Sequence, residues 1–192
     1  MDNIIIEQII NSAHHIYNKG MIIGKAGNIS IIDDDKKYMY ITASGTDFKS
    51  LNYNDIIKVK LDDLSYSSND DKVPSMETNL HIGVYKNRDD INSVVHIHSP
   101  YATGFAFSNQ KLRQQEGFGE ITGEYVKEVD YFPPGSKTLA ENASDALKNE
   151  NAIILKNHGI ICIGKNIDEA TLLSEYIEGI AKTQYITHVL NL

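Results

Sequence analysis

Residues 93–100 read Ser-Val-Val-His-Ile-His-Ser-Pro, an apolar and β-branched run that predicts a β-strand. Side chains two positions apart on a strand point to the same face, so His96 and His98 can reach one metal ion. A third histidine, His158, follows the apolar run 152–155 and precedes a glycine. Three imidazoles with one exchangeable position are typical of a catalytic zinc site. The alternative is that these are ordinary histidines of the core or of strand ends.

Hydrophobic periodicity outward from this stretch predicts five helices and six strands. The predicted helices cover residues 3–19, 76–87, about 101–107, 137–149 and about 167–189. The predicted strands cover residues 28–32, 38–42, 56–61, 93–98, 152–156 and 160–163. Residues 65–72, rich in Ser, Asn and Asp, predict an exposed loop. Strands interspersed with helices in this order predict an α/β sandwich with a central mixed sheet.

Composition limits the possible partners and location of the protein. The chain has 192 residues, a net charge of −8 and no block of positive charge, which argues against a nucleic-acid partner. The only cysteine, Cys162, lies in an apolar run and suits a reducing cytosol, so we expect a cytoplasmic protein. The N-terminal residues do not resemble a signal peptide. No apolar run is long enough to span a membrane.

Three further segments have the composition of a catalytic site that handles an anion. Glu77 is placed at a predicted helix start, where it is either a helix cap or an acid/base group near the metal. The segments 24–30 and 42–46 combine glycines with hydroxyl side chains. Such loops hold a phosphate through backbone N–H groups and hydroxyls, although each alone is more often a simple turn.

Together these segments resemble the class II aldolase/adducin family, and within it the L-fuculose-1-phosphate aldolases. The resemblance covers essentially the whole chain and implies one domain over residues 1–192. It implies the α/β/α sandwich of the family, with a central mixed, largely antiparallel sheet. The matching segments, in chain order, are Gly27-Asn28-Ile29-Ser30, Ser44-Gly45, Pro74-Ser75-Met76-Glu77, His96-Ile97-His98-Ser99-Pro100, Tyr131 to Gly135 and Asn157-His158-Gly159.

The resemblance also implies a set of site residues. One zinc ion per subunit is expected at His96, His98 and His158, with Glu77 as a displaceable fourth ligand and acid/base residue. Tyr131 matches a tyrosine that family aldolases provide across a subunit boundary as a proton donor, in homotetramers with active sites between subunits. The expected phosphate site consists of Gly27, Asn28, Ser44, Gly45 and Ser75.

Two features depart from the family pattern. Met76 stands where family fuculose aldolases usually have a serine, so one hydroxyl of the phosphate site is missing unless Met76 instead packs in the core. The sequence ends at Leu192, without the longer tail that helps to shape the aldehyde pocket in some relatives. The remaining histidines, predicted to be structural or surface residues, are His14, His15, His81 and His188.

The predicted activity is the reversible aldol cleavage of a ketose 1-phosphate into dihydroxyacetone phosphate and a small aldehyde. One alternative is a pentulose-5-phosphate 4-epimerase or a methylthioribulose-1-phosphate dehydratase on the same scaffold. The epimerases have an acidic and aromatic stretch that residues 104–119 do not match. Another alternative is a non-enzymatic, adducin-like interaction module. Such modules tend to lose the metal histidines, and this chain retains all three.

Overall fold

In a computed structural model, which describes residues 2–68, 70–117 and 122–192, the chain forms an eight-stranded sheet. Residues 118 and 119 of the segment compared with epimerases therefore lie outside the described residues. The strands are β1 (Gly27–Ile32), β2 (Tyr38–Thr42), β3 (Ile56–Lys60), β4 (Tyr66–Ser67), β5 (Ser93–Ile97), β6 (Lys127–Val129), β7 (Ala152–Leu155) and β8 (Gly159–Gly164). Their order in the sheet is β4-β3-β2-β1-β5-β8-β7-β6.

All neighbouring strands pair antiparallel except β6 and β7, which are parallel. The predicted mixed, largely antiparallel sheet is therefore confirmed. The strands β5 and β8, which contain or adjoin the three histidines, are direct neighbours in the middle of the sheet. This pairing brings together chain segments that are about sixty residues apart, and it fixes the position of the site.

Helices cover both faces of the sheet. The helices are α1 (Asp2–Asn18), α2 (Thr78–Asn87), α3 (Pro100–Ala106), α4 (Lys137–Ala146) and α5 (Ile167–Leu190), with a short 3-10 helix at Tyr53–Asp55. One core contains buried side chains of α1, α3 and α5, and the other contains those of α2 and α4. The predicted α/β/α sandwich is thus confirmed. None of the helices in the described ranges is long and apolar enough to cross a membrane.

The short elements were not predicted. Strand β4 lies inside the segment 65–72 that was predicted as a loop, and its two residues are exposed. Strand β6 has three residues and depends on pairing with β7. Segments of two or three residues are too short to show the alternation of apolar and polar residues that predicts a strand. Their strand conformation depends on pairing with the neighbouring strand. Helix α2 begins at Thr78 rather than at residue 76, because Glu77 occupies the N-cap position.

Candidate active site

The three predicted metal histidines converge at one end of β5 and β8. His96 lies in β5, His98 follows that strand directly, and His158 lies in the turn between β7 and β8. The Nε2 atom of His96 is 3.2 Å from Nε2 of His98 and 3.3 Å from Nε2 of His158. One ligand atom from each of the three side chains lies within 4.8 Å of the others. Strand parity, predicted from the sequence, places His96 and His98 on one side, and the pairing of β5 with β8 brings His158 to the same point.

This arrangement fits a divalent metal ion such as zinc. Zinc binds imidazole nitrogen at about 2.0–2.1 Å, so tetrahedral ligands are spaced about 3.3 Å apart. His96 donates from Nδ1 to the backbone oxygen of Ile160 at 2.8 Å, which leaves the Nε2 lone pair free. Burial lowers the pKa of all three histidines, for His158 to about 4, so the rings stay neutral. Neutral imidazole is the form that binds a metal.

The backbone of the Asn157-His158-Gly159 turn explains its residue types. Asn157 has a φ of +55°, a conformation that Asn tolerates better than most other non-glycine residues. A Cβ atom at Gly159 would lie 2.6 Å from the Ile97 oxygen and 2.8 Å from Cδ2 of His98. Only glycine therefore lets this turn pack directly against His98.

Glu77 is a buried carboxylate that occupies the N-cap position of α2 without using its side chain as a cap. Its side chain makes no capping hydrogen bond to α2, and only 4% of the residue is exposed. Oε1 accepts a hydrogen bond from the Gly135 backbone N–H at 2.9 Å, while Oε2 is buried with no partner among the described residues. Burial raises the pKa of Glu77, and the Gly135 hydrogen bond opposes this effect. A carboxyl group with a raised pKa suits proton transfer near neutral pH. Glu77 lies outside the 4.8 Å cluster of the histidines, so its role as a fourth ligand stays a prediction.

The two predicted anion loops meet beside the histidines. An isolated β-bridge joins Ala43 to Pro74 and places the loop after β2 next to the segment before α2. The first loop contacts β5 directly, since a Cβ atom at Gly27 would lie 2.9 Å from the backbone oxygen of His96. Asn28 is also the direct cross-strand partner of His96. The loops thus border the histidine cluster on its β1 and β2 side.

A cleft of about 550 Å³ collects the predicted residues of the metal and phosphate sites. Tyr131, the predicted proton donor, does not line this cleft and is 52% exposed. The predicted site residues that line the cleft are Gly27, Asn28, Ser44, Gly45, Ser75, Glu77, His96, His98 and His158.

The cleft also contains residues that were not predicted as site residues. Lys25 lines it and has no ion-pair partner within the described ranges, so it adds a positive charge beside the glycine loop. The position of Lys25 between Gly24 and Gly27, inside a predicted anion loop, was a sequence signal for this positive charge at the site. Asn157, Thr103 and Phe107 also line the cleft, and no local sequence signal distinguishes them.

Comparison with known proteins shows the family of this chain. Residues 7–185 match the family model described as the Class II Aldolase and Adducin N-terminal domain. The chain belongs to this class II aldolase family. The predicted family and the predicted enzyme class, an aldolase and hence a lyase, are confirmed.

Individual class II aldolases are similar over nearly their full length. The L-fuculose phosphate aldolase of Methanococcus maripaludis (strain C5) is 38% identical over 181 residues, which are 94% of this chain and 96% of that protein. The 5-deoxy-D-ribulose 1-phosphate aldolase of Bacillus thuringiensis serovar kurstaki is 31% identical and matches over 94% of this chain and 84% of its own length. A solved L-fuculose 1-phosphate aldolase structure, 29% identical, superimposes with a TM-score of 0.88 over 98% of this chain and 88% of its own.

Proposed function

We propose that this class II aldolase is a zinc-dependent enzyme that reversibly cleaves a ketose 1-phosphate into dihydroxyacetone phosphate and a small aldehyde. The observation that supports this most strongly is the single cleft in which three convergent imidazoles, a buried carboxylate and two anion loops meet. One Zn²⁺ per subunit is proposed, since three neutral histidines with an open position match catalytic zinc. We also propose one domain over residues 1–192 and a cytoplasmic location.

Glu77 and Tyr131 are proposed to move the protons. A divalent ion held by His96, His98 and His158 supplies electrophilic polarisation of the substrate carbonyl when bound. In the synthetic direction, the Glu77 carboxylate removes a proton from carbon 3 of dihydroxyacetone phosphate, and that carbon forms the new bond to the aldehyde. The aldehyde oxygen takes a proton from Tyr131. Cleavage reverses these steps, with Glu77 returning its proton to carbon 3.

The loops around Gly27 and Gly45 are proposed to bind the substrate phosphate. Ser44 and Ser75 provide hydroxyl groups, and Lys25 provides a positive charge in a protein with a net charge of −8. This end of the cleft is therefore suited to an anion. The histidines line the same cleft, and His96 is the cross-strand partner of Asn28, so the carbon skeleton of the bound molecule is proposed to extend toward them.

Product analysis tests the proposed activity. Purified, zinc-loaded protein is given dihydroxyacetone phosphate with a panel of small aldehydes, and the products are identified by NMR and mass spectrometry. We expect ketose 1-phosphates and, in reverse, release of dihydroxyacetone phosphate. Epimerised or dehydrated sugar phosphates without carbon–carbon bond formation would instead identify the rival activities. No conversion of any of these substrates would contradict an enzymatic role for this cleft.

A homotetramer with active sites between subunits is also proposed. Tyr131 is exposed and outside the cleft of its own chain, as a residue donated to a neighbour would be. Three apolar side chains at the cleft, Ile23, Met76 and Phe107, are 62–64% exposed. Clustered exposed apolar side chains are a feature of surfaces that another molecule covers.

Mixing two inactive variants tests whether Tyr131 acts across a boundary. Tyr131→Phe and Glu77→Gln are each expected to be nearly inactive, while co-refolded mixtures regain activity. In a mixed tetramer, some sites combine an intact Glu77 from one chain with an intact Tyr131 from another. Light scattering of the wild type at micromolar concentration should give the tetramer mass. A monomer, or a mixture as inactive as its parents, would contradict the proposal.

Met76→Ser is expected to strengthen binding of a phosphorylated substrate. Met76 is 64% exposed and lines the cleft, so the alternative that it packs in the core is wrong. A hydrogen bond to a charged group contributes roughly 1.5–3 kcal/mol, which corresponds to a KM lower by about tenfold to a hundredfold. We expect an unchanged kcat, because the phosphate is bound equally in the ground and transition states. Steady-state kinetics of Met76→Ser and Met76→Ala check this; equal KM values for the two variants would show that the hydroxyl does not reach the phosphate.

A further inference from the structure

Helix α2 places a row of polar side chains over the buried face of β1. Glu77, His81 and Tyr85 are spaced four residues apart, so they lie on one side of the helix. His81 was predicted to be structural or at the surface, and it is fully buried, with 0% exposure. Its two ring nitrogens both have polar partners on β1. A buried imidazole with both nitrogens satisfied is held in one orientation.

The partners of His81 define its tautomer. Its Nε2 atom is 2.5 Å from Oδ1 of Asn28, and a carboxamide oxygen only accepts, so Nε2 bears the proton. Its Nδ1 atom, 2.7 Å from Oγ of Ser30, must then accept from that hydroxyl. With the Ser30 proton directed to His81, the single proton of the Tyr85 hydroxyl faces two oxygens of Ser30, Oγ at 2.7 Å and the backbone oxygen at 3.0 Å. Burial lowers the pKa of His81 to about 3, so the ring is neutral and this pattern persists.

The network leaves one group of Asn28 available. Its Oδ1 atom is occupied by His81, and its Nδ2 atom has no hydrogen-bond partner among the residues that the structure describes. Asn28 is only 6% exposed, yet it lines the cleft beside His96. The amide could otherwise rotate by 180° and present its oxygen, which would repel a phosphate or another anionic oxygen.

We propose that His81 is a positioning residue, which holds the Asn28 amide so that its NH₂ group, and not its oxygen, is presented to an anionic substrate. This inference rests on the proposed function, because it takes the ligand to be a phosphorylated ketose or dihydroxyacetone phosphate. His81 touches no substrate itself. It acts through Asn28, and the Ser30 hydroxyl is compatible with the required tautomer because it can donate to Nδ1 of His81.

A double-mutant cycle tests the coupling. Dihydroxyacetone phosphate is titrated by calorimetry into zinc-loaded wild type, His81→Phe, Asn28→Ala and the double variant. We expect His81→Phe to weaken binding by about tenfold to a hundredfold, the size of one lost hydrogen bond to a charged group. In the Asn28→Ala background, His81→Phe should have no further effect. In the activity assay, His81→Phe should raise KM with little change in kcat.

The conservative variant His81→Gln provides the matched control, because its side-chain amide can still donate to Asn28. We expect it to restore most of the lost affinity. Thermal melting and metal analysis of each variant separate the structural effect from the positioning effect. A lower melting temperature with an unchanged dissociation constant would overturn the proposal. The proposal would also be overturned if His81→Phe weakened binding of dihydroxyacetone phosphate equally in the wild-type and Asn28→Ala backgrounds.

A spectroscopic measurement keeps this inference distinct from the proposed function. Histidine ¹⁵N resonances of the wild type at pH 7 should show His81 as the Nε2–H tautomer, with its Nε2 signal shifted in Asn28→Ala. An Nδ1–H tautomer would overturn the positioning role even in an active enzyme. A wild type that shows the expected tautomer but does not bind dihydroxyacetone phosphate would overturn the proposed function and the ligand assigned here. It would leave the control of Asn28 by His81 intact.

Discussion

Glu77→Gln is expected to lower kcat by about 10²–10⁴-fold, the usual contribution of a general acid/base residue. The amide is nearly isosteric with the carboxylate, and its oxygen can still accept the hydrogen bond from Gly135 that holds Oε1 at 2.9 Å. Unlike the carboxylate, the amide of the Glu77→Gln variant cannot take up or release a proton during turnover. The fold and the metal content should therefore persist while turnover is lost.

Proton exchange isolates this step from carbon–carbon bond formation. Wild-type protein in D₂O should exchange a proton at carbon 3 of dihydroxyacetone phosphate without any aldehyde, and NMR detects the loss of that signal. Glu77→Gln should abolish the exchange, whereas Tyr131→Phe should retain it. Glu141→Gln, in an exposed ion pair with Lys137, is the matched control and should behave as wild type. Wild-type exchange by Glu77→Gln would leave Glu77 with only a structural role.

His98→Ala is expected to reduce the metal content from about one divalent ion per chain to nearly none. The variant removes one of three imidazoles, since Nε2 of His96 lies 3.2 Å from Nε2 of His98 and 3.3 Å from Nε2 of His158. The two neutral imidazoles that remain do not form a stable zinc site. Elemental analysis after dialysis measures this directly. His188→Ala, on the exposed end of α5, controls for the loss of any histidine.

Removal and replacement of the metal extend this test. A chelator should abolish activity in the wild type, and zinc should restore it. Cobalt or manganese should restore part of the activity, since they accept imidazole ligands with other affinities and geometries. Near-zero metal in both the wild type and His98→Ala would contradict a metal site at these histidines.

The sequence predicted most of the fold because its signals are local. The strand and helix periodicities are complete within each segment, as in the buried row Ile5, Ile9, Ala13 and Ile16 of α1. The start of α4 has a local signal too: Ser136 stands at its N-cap, where serine is favoured, and its hydroxyl accepts from the Leu139 N–H at 3.1 Å. Strand parity predicted that His96 and His98 point to one side.

What the sequence did not show depends on contacts between distant segments. The bridge from Ala43 to Pro74 places the loop after β2 next to the segment before α2, and neither segment contains a signal for the other. The hydrogen bond from Gly135 to Glu77 spans 58 residues. His81 shows the same limit: its four-residue spacing from Glu77 was visible, but its partners on β1 were not.

The central pairing of β5 with β8 also has a consequence for the order of folding. His96 and His158 are 62 residues apart in the chain, so the unfolded protein offers only the local pair His96 and His98. Bringing the third imidazole into place requires closure of a long loop, so we expect the metal site to form late, together with the pairing of β5 and β8. A bound metal should therefore stabilise the native state by mass action and slow unfolding, with little acceleration of folding. The ion would stabilise a sheet that has already formed, and it would not nucleate the folding of that sheet.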